Sequence, residues 1–257
     1  MKVALWQAKP TNGNIEAAFS AICTQLQAAA AAGAKLLLAP ELLLPGYNRP
    51  DLHESLSQPL DGAWITRLRE MAARAGCGIC LGWAERDGAI VYNAATTIGP
   101  DGAVLAHYRK IQLFGPMERR SFRPGDQLCP VFDLEGRKLA MLVCYDIEFP
   151  AHAAALSRNG AGLILVPTAN PAGFEHVQRI LVPARAHEGN CTVAYANLTG
   201  PEGDLTFGGL SVIAGPDGQP LATAGARGEV LLIVDLAASD EVPEDLRSAQ
   251  TADFRPV

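Results

Sequence analysis

The chain has 257 residues, 49% of them apolar and 19% charged, with a formal net charge of −6. That balance describes an ordinary globule with enough length to bury a large core, and an acidic sum without a basic stripe argues against nonspecific nucleic-acid binding. No apolar run is long enough to span a bilayer, Met1 to Lys9 lacks the pattern of a signal peptide, and six cysteines in a chain of this size do not make a disulfide framework. A cytoplasmic protein with free thiols is expected.

Val3 to Gln7 reads as a short buried strand, and Thr11-Asn-Gly-Asn14 as a turn able to cap a helix. The alanine-rich segment from Ile15 to about Ala32 puts Ala18, Ile22, Leu26 and Ala29 on one face, and Gly33 ends it. Lys35 to Ala39 is a second buried strand that runs into Pro40-Glu41, followed by an unusually apolar loop from Leu42 to Tyr47. Trp64 to Ala75 is a helix, and Gly78 to Ala84 a strand. Cys77 and Cys80 have CxxC spacing there, but no second pair accompanies them, which disfavours a zinc or redox site. Val91 to Ile98 and Val104 to Tyr108 are strands joined by Gly99-Pro-Asp-Gly102. Arg109-Lys110 follows, then a polar loop from Gln112 to Gln127.

Val131 to Leu134 and Lys138 to Val143 pair around Glu135-Gly136. Leu139 to Val143 is a continuous apolar run, as expected of a strand covered on both faces. It stops at Cys144, and Pro150 then opens a helix over Ala151 to Ser157. Leu163 to Val166 is a buried strand ending in Pro167-Thr-Ala-Asn170. A helix from about His176 to Glu188 precedes a strand from Cys191 to Ala196. Gly209 to Ala214 and Pro220 to Ala224 flank a second Gly-Pro-Asp-Gly turn at Gly215, and Val230 to Leu236 is the last strand. Alternating strands and helices give an α/β class. The paired turns hint at a pseudo-repeat. One domain over residues 1–257 is expected, with 239–257 a polar tail that packs on the surface or against a partner.

Three polar residues end apolar runs: Glu41, Lys110 and Cys144. Taken singly, Cys144 could be a core hydrophobe, Glu41 a solvated loop residue and Lys110 a surface charge. Together they fit nucleophilic acyl chemistry. A thiol of pKa about 8.5 needs activation near neutral pH; a carboxylate can take its proton; an ammonium favours the thiolate and a tetrahedral oxyanion. Backbone N–H groups just after Cys144 could complete the oxyanion site. No metal or organic cofactor is required.

Four motifs stand in order along the chain: Ala39-Pro-Glu41 through Pro45-Gly46-Tyr47; Tyr108-Arg-Lys110-Ile-Gln-Leu-Phe114 with Glu118 behind it; Leu142-Val-Cys144-Tyr-Asp-Ile-Glu-Phe-Pro150; and Pro167-Thr-Ala-Asn170 with Ala184-Arg-Ala186. With them the chain resembles the nitrilase, or carbon–nitrogen hydrolase, superfamily over nearly its whole length. The resemblance implies a four-layer αββα sandwich, Glu41 as general base, Cys144 as the nucleophile that forms a thioester, and Lys110 with the backbone N–H of Tyr145 as oxyanion donors. Glu118 matches a second glutamate that orients substrate and lysine. Family members commonly dimerise, so a homodimer or higher homo-oligomer is expected, with the tail as one possible contact.

Tyr145 after the nucleophile resembles the amidase side of the superfamily. Related amidases of acidic substrates carry an arginine where Ile147 and Glu148 stand here. A carboxylate at Glu148 would repel an anionic substrate, so a small neutral or amine-bearing carboxamide is expected. Tyr47, Phe114, Glu148 and Asn170 are the candidate pocket residues, with Phe174 a further apolar candidate. Competing readings are an N-carbamoyl amine or amino-acid hydrolase, a nitrilase, or an inactive scaffold of the same fold. The presence of Glu41, Lys110 and Cys144 together argues against the last.

Overall fold

A computed structural model describes residues 1–253 and Arg255. The first half runs β1 (Lys2–Gln7), α1 (Ile15–Ala31), β2 (Ala34–Leu38), α2 (Pro50–Leu56), α3 (Ala63–Ala75), β3 (Gly78–Asp87), β4 (Ile90–Ile98) and β5 (Val104–Arg109), then α4 (Gly115–Ser121). The second half runs β6 (Phe132–Leu134), β7 (Arg137–Met141), α5 (Pro150–Arg158), β8 (Leu163–Pro167), α6 (Val182–Glu188) and β9 (Thr192–Ala196). A hairpin, β10 (Thr199–Glu202) and β11 (Leu205–Gly208), precedes β12 (Val212–Ala214), β13 (Pro220–Thr223) and β14 (Val230–Asp235).

Two six-stranded sheets form, in the orders β14-β1-β2-β3-β4-β5 and β13-β12-β9-β8-β7-β6. In the first, β1, β2 and β3 are parallel, and the flanking pairs are antiparallel. In the second, β7, β8 and β9 are parallel with antiparallel flanks. Strand order and sense therefore repeat between the halves. The two Gly-Pro-Asp-Gly turns occupy equivalent places, β4–β5 and β12–β13. They close with matching bonds: Gly99 N to Ala103 O and Gly215 N to Gln219 O, both 2.8 Å.

The continuous apolar runs have a direct structural cause. Side chains alternate across a strand, and both faces of each sheet are covered. Val3, Leu5, Leu36 and Leu38 pack against Leu139, Met141 and Leu165 between the sheets. Ala4, Trp6, Leu37, Ile79 and Leu81 pack under α1 and α3, against Phe19, Ile22, Leu26 and Leu68. Ala153, Leu156, Val182 and Ala186 of α5 and α6 cover the second sheet's outer face. The result is the four-layer αββα sandwich. Asn14 caps α1 by accepting from Ala17 N at 3.0 Å, a contact of about 1 kcal/mol.

Several segments differ from the sequence reading, among them α2, which follows the apolar loop and was not expected. The polar loop after Lys110 contains α4, which its Gly-Pro start and exposed arginines disguise. The hairpin β10–β11 was not expected, since Gly200, Pro201, Gly203 and Asp204 are turn-favouring residues that interrupt any strand pattern. The expected helix from His176 opens as a wide π-helical turn (Val177–Leu181) before α6. The tail begins against the second sheet, where Ser239 is buried beside Thr192 and Arg137 pairs with Asp240. Residues 254, 256 and 257 lie outside the described residues. No helix among those described is long and apolar enough to cross a membrane.

Candidate active site

The parallel strands deliver their carboxyl ends to one place, and the polar residues there come from both sheets. Glu41 follows β2, on a tight loop with Leu42 at φ +44°. The loop lies directly on β3: a Cβ at Gly82 would sit 2.4 Å from the Glu41 Cα, so only glycine fits. Gly82 N donates to Pro40 O at 3.0 Å, and Leu43 N to Gly82 O at 3.0 Å. Across the sandwich, Glu41 N donates to Thr168 O at 3.3 Å.

Lys110 follows β5 and is fully buried. Its ammonium donates to Glu41 Oε1 and to Glu118 Oε1, each at 2.7 Å. Glu118 comes from α4, also fully buried. Its Oε1 accepts from the Tyr47 hydroxyl at 2.7 Å and its Oε2 from Phe114 N at 3.0 Å. Asn93, from β4, donates its amide to Glu41 Oε1 at 2.7 Å. One cation thus bridges two carboxylates in a dry site, and Tyr47 and Asn93 supply further donors.

Cys144 sits at the turn from β7 to α5 with φ +44°, a strained conformation for a non-glycine residue. Asp146 locks that turn. Its carboxylate accepts from Val143 N at 3.0 Å, Gln112 N at 2.8 Å and the Tyr108 hydroxyl at 2.8 Å, while Asp146 N donates to Val143 O at 3.0 Å. Arg185 holds the far end, donating to the carbonyls of Ile147 and Glu148 at 3.2 Å. The thiol is buried, only 7% exposed. Burial pushes its pKa well above the ordinary value, as does the Glu41 carboxylate, against the pull of Lys110 and the Thr168 hydroxyl.

Electrostatics set the resting state. Burial raises the Glu41 carboxyl to about 7, against the lowering effect of Lys110. One of its oxygens, Oε2, is buried without a hydrogen-bond partner. Burial alone would pull the Lys110 ammonium down, but the Glu118 and Glu41 carboxylates more than reverse that, and the lysine stays charged. The unpartnered oxygen of Glu41 is therefore a free acceptor in the site, and the Cys144 thiol is held protonated.

The other candidates separate. Phe114 meets Tyr145 and Phe174 edge to face, with ring centroids 5.2 and 5.7 Å apart, forming an aromatic wall. Glu148 is half-buried; burial raises its carboxyl, while His176 and Lys110 pull it down. Asn170 faces elsewhere: its amide donates to Phe174 O and Gln178 Oε1, both at 3.1 Å, and its backbone is tied to Asn197. It shapes the loop that carries Phe174. The sequence reading missed Asn93, Thr168 and the locking role of Asp146. Among the described residues no group of three or more His, Cys, Asp or Glu is placed to hold a metal ion.

Residues 2–242 match the carbon-nitrogen hydrolase family model. The chain belongs to that family. A hydrolase of Pseudomonas protegens is 41% identical over 88% of this chain and 79% of its own length. An (R)-stereoselective amidase of Pseudomonas sp. is 32% identical over 92% of this chain and 85% of its own. The structure of an amidase from Nesterenkonia sp. AN1, in complex with butyramide and with a cysteine replaced by alanine, superposes with a TM-score of 0.87 at 39% identity, covering 93% of this chain and 92% of that one. A glutamate-to-glutamine variant of that amidase carries acrylamide added to its active-site cysteine. This carbon–nitrogen hydrolase is an amidase-type member of the nitrilase superfamily, acting on C–N bonds other than peptide bonds.

Proposed function

We propose that the protein hydrolyses a small neutral or amine-bearing primary carboxamide to the carboxylic acid and ammonia through a thioester on Cys144. The observation that carries this reading is the buried Lys110 bridging Glu41 and Glu118 beside the Cys144 turn. Glu41 accepts the thiol proton through its unpartnered oxygen as the sulfur attacks the carbonyl carbon. The oxyanion is held by Lys110 and the backbone N–H of Tyr145. The C–N bond breaks, the nitrogen takes the proton from Glu41, and ammonia leaves. Water then attacks the thioester and gives a proton to Glu41. The acid departs, and that proton returns to the sulfur. Atoms balance as one amide plus one water.

Glu118 positions the lysine and, with Tyr47, closes the site floor. Two features support the substrate class. The Glu148 carboxylate disfavours a second anion near the acyl group, and the wall of Phe114, Tyr145 and Phe174 suits a short apolar chain. The butyramide bound by the Nesterenkonia amidase has this chemistry. Ammonia release from a panel of propionamide, butyramide, a β-amino amide, a dicarboxylic monoamide, a carbamoyl amine and a nitrile, run beside Cys144→Ala, tests it. The neutral and amine-bearing amides should turn over fastest. Faster turnover of the monoamide of a dicarboxylic acid would overturn the substrate class, and turnover by Cys144→Ala the mechanism.

A further inference from the structure

The hairpin β10–β11 belongs to neither large sheet, yet it grips both loops that wall the site. Glu202, fully buried, accepts from Asn48 N at 2.6 Å. Asn48 answers with its amide, which donates to Glu202 O at 2.7 Å and to Asp204 Oδ1 at 2.8 Å. Phe207 meets the Tyr47 ring edge-on at 5.9 Å between centroids. Gly46 lies against the same carboxylate: a Cβ there would be 2.7 Å from Glu202 Oε1, and φ is +137°. On the other side, Ala172 N donates to Thr206 O at 2.9 Å and Gly208 N to Asn170 O at 3.0 Å, which ties in the loop bearing Phe174.

A buried carboxylate is an expensive choice for holding one backbone N–H, since a neutral acceptor would do so without the desolvation penalty. Among the described residues no cation pairs with it directly: the nearby Arg49 guanidinium acts on it only through space, its hydrogen bonds going to Asp51 and the Asn12 carbonyl. Its Oε1 has no hydrogen-bond partner. What the charge adds is a shorter, stronger bond to the chain, one residue from Tyr47. We propose that Glu202 is a positioning residue for the reaction. By fixing the Gly46–Asn48 backbone it sets the Tyr47 hydroxyl on Glu118, and through Glu118 the Lys110 ammonium.

This rests on the roles assigned above to Glu118 and Lys110. The test is a double-mutant cycle of Glu202→Ala with Tyr47→Phe, read two ways: kcat and KM for butyramide, and the rate of Cys144 alkylation by iodoacetamide, followed by peptide mass. Glu202→Ala should lower kcat about tenfold with KM moving less than about threefold, and Glu202→Gln, which keeps an acceptor, should recover most of it. The double variant should be no slower than the slower single variant, because both act through one bond. Asn48→Ala, which removes only the two side-chain bonds to the hairpin, should show the same non-additivity at about threefold and serves if Glu202→Ala does not fold. Multiplicative losses, or a loss carried entirely by KM, would overturn the proposal. Absence of ammonia from the parent enzyme would instead undo the amidase reading, and the alkylation cycle would still decide the role of Glu202.

Discussion

Arg109 and Lys110 are sequence neighbours, and each holds two carboxylates, but on opposite terms. Arg109 reaches Glu85 at 2.7 Å and Asp87 at 2.9 Å, at the partly exposed edge of the first sheet. Lys110 reaches Glu41 and Glu118 at 2.7 Å with no solvent access. Burial pushes Glu85 upward too, but hydrogen bonds from His107 and Arg109 reverse that and leave its pKa at about 2. Burial wins at Glu41 and leaves it at about 7. Both oxygens of Glu85 are bonded, Oε1 to Arg109 and Oε2 to Arg109 and His107, whereas Glu41 keeps Oε2 unpartnered. A buried carboxylate with both oxygens bonded contributes stability. A half-satisfied one in a dry site is a proton acceptor held in readiness, at the expense of stability.

The largest expected contrast comes from removing each cation. Lys110→Ala leaves two buried carboxylates unpaired, so it should destabilise by about 3–5 kcal/mol and abolish turnover. Arg109→Ala should lose about 1–3 kcal/mol, because His107 still bonds the buried Glu85 and Asp87 is exposed, and should leave kcat near that of the parent. Chemical denaturation and ammonia release measure both. Equal losses at the two positions would erase the distinction between the networks.

Next in size is Glu41→Gln. It should lower kcat by about 10²–10⁴-fold, the range of a lost general base, while Tm stays within about 3 °C of the parent or rises, since a buried charge is removed. A Tm drop as large as that of Lys110→Ala would mean that Glu41 serves stability. The pH profile sharpens the same point. Below its pKa Glu41 is protonated and cannot accept the thiol proton, so kcat/KM should fall tenfold per unit below about pH 7. That acid limb should vanish from the residual activity of Glu41→Gln.

The smallest effect concerns stability against pH, and the two carboxyls act with opposite sign. Glu85 has a folded pKa below its ordinary value of 4.5. Its contribution is present above about 4.5 and is lost as pH falls toward 2. Glu41 has a raised folded pKa, so its ionisation costs stability as pH rises from 4.5 through 7. Glu85→Gln should flatten the acid side of the stability curve, and Glu41→Gln the neutral side, in denaturant midpoints taken from pH 3 to 8.

The strands were legible because two-sided burial writes itself as unbroken apolar runs, and so were Glu41, Lys110 and Cys144, the first polar residues after those runs. Glu118 was not legible from pattern. It lies in α4, a short helix with Pro116 at its start and Arg119 and Arg120 on its surface, and only the family resemblance singled it out. Asn93 and Asp146 escaped for a different reason. A polar residue within or just after a strand is ordinary in sequence, and the number of donors around it exists only once β4, β5 and the Cys144 turn are folded together. Asn170 shows the converse, since a polar residue at a strand end was read as pocket and is spent on holding a loop. The hairpin that positions Tyr47 was hidden by its turn-rich composition.

The most direct test is acid-quenched mass spectrometry of the enzyme during butyramide turnover, with peptide mapping. The account predicts a butyryl group on the Cys144 peptide that disappears once substrate is exhausted. Ammonia released at the same rate with Cys144 unmodified, or with the acyl group on another residue, would contradict it.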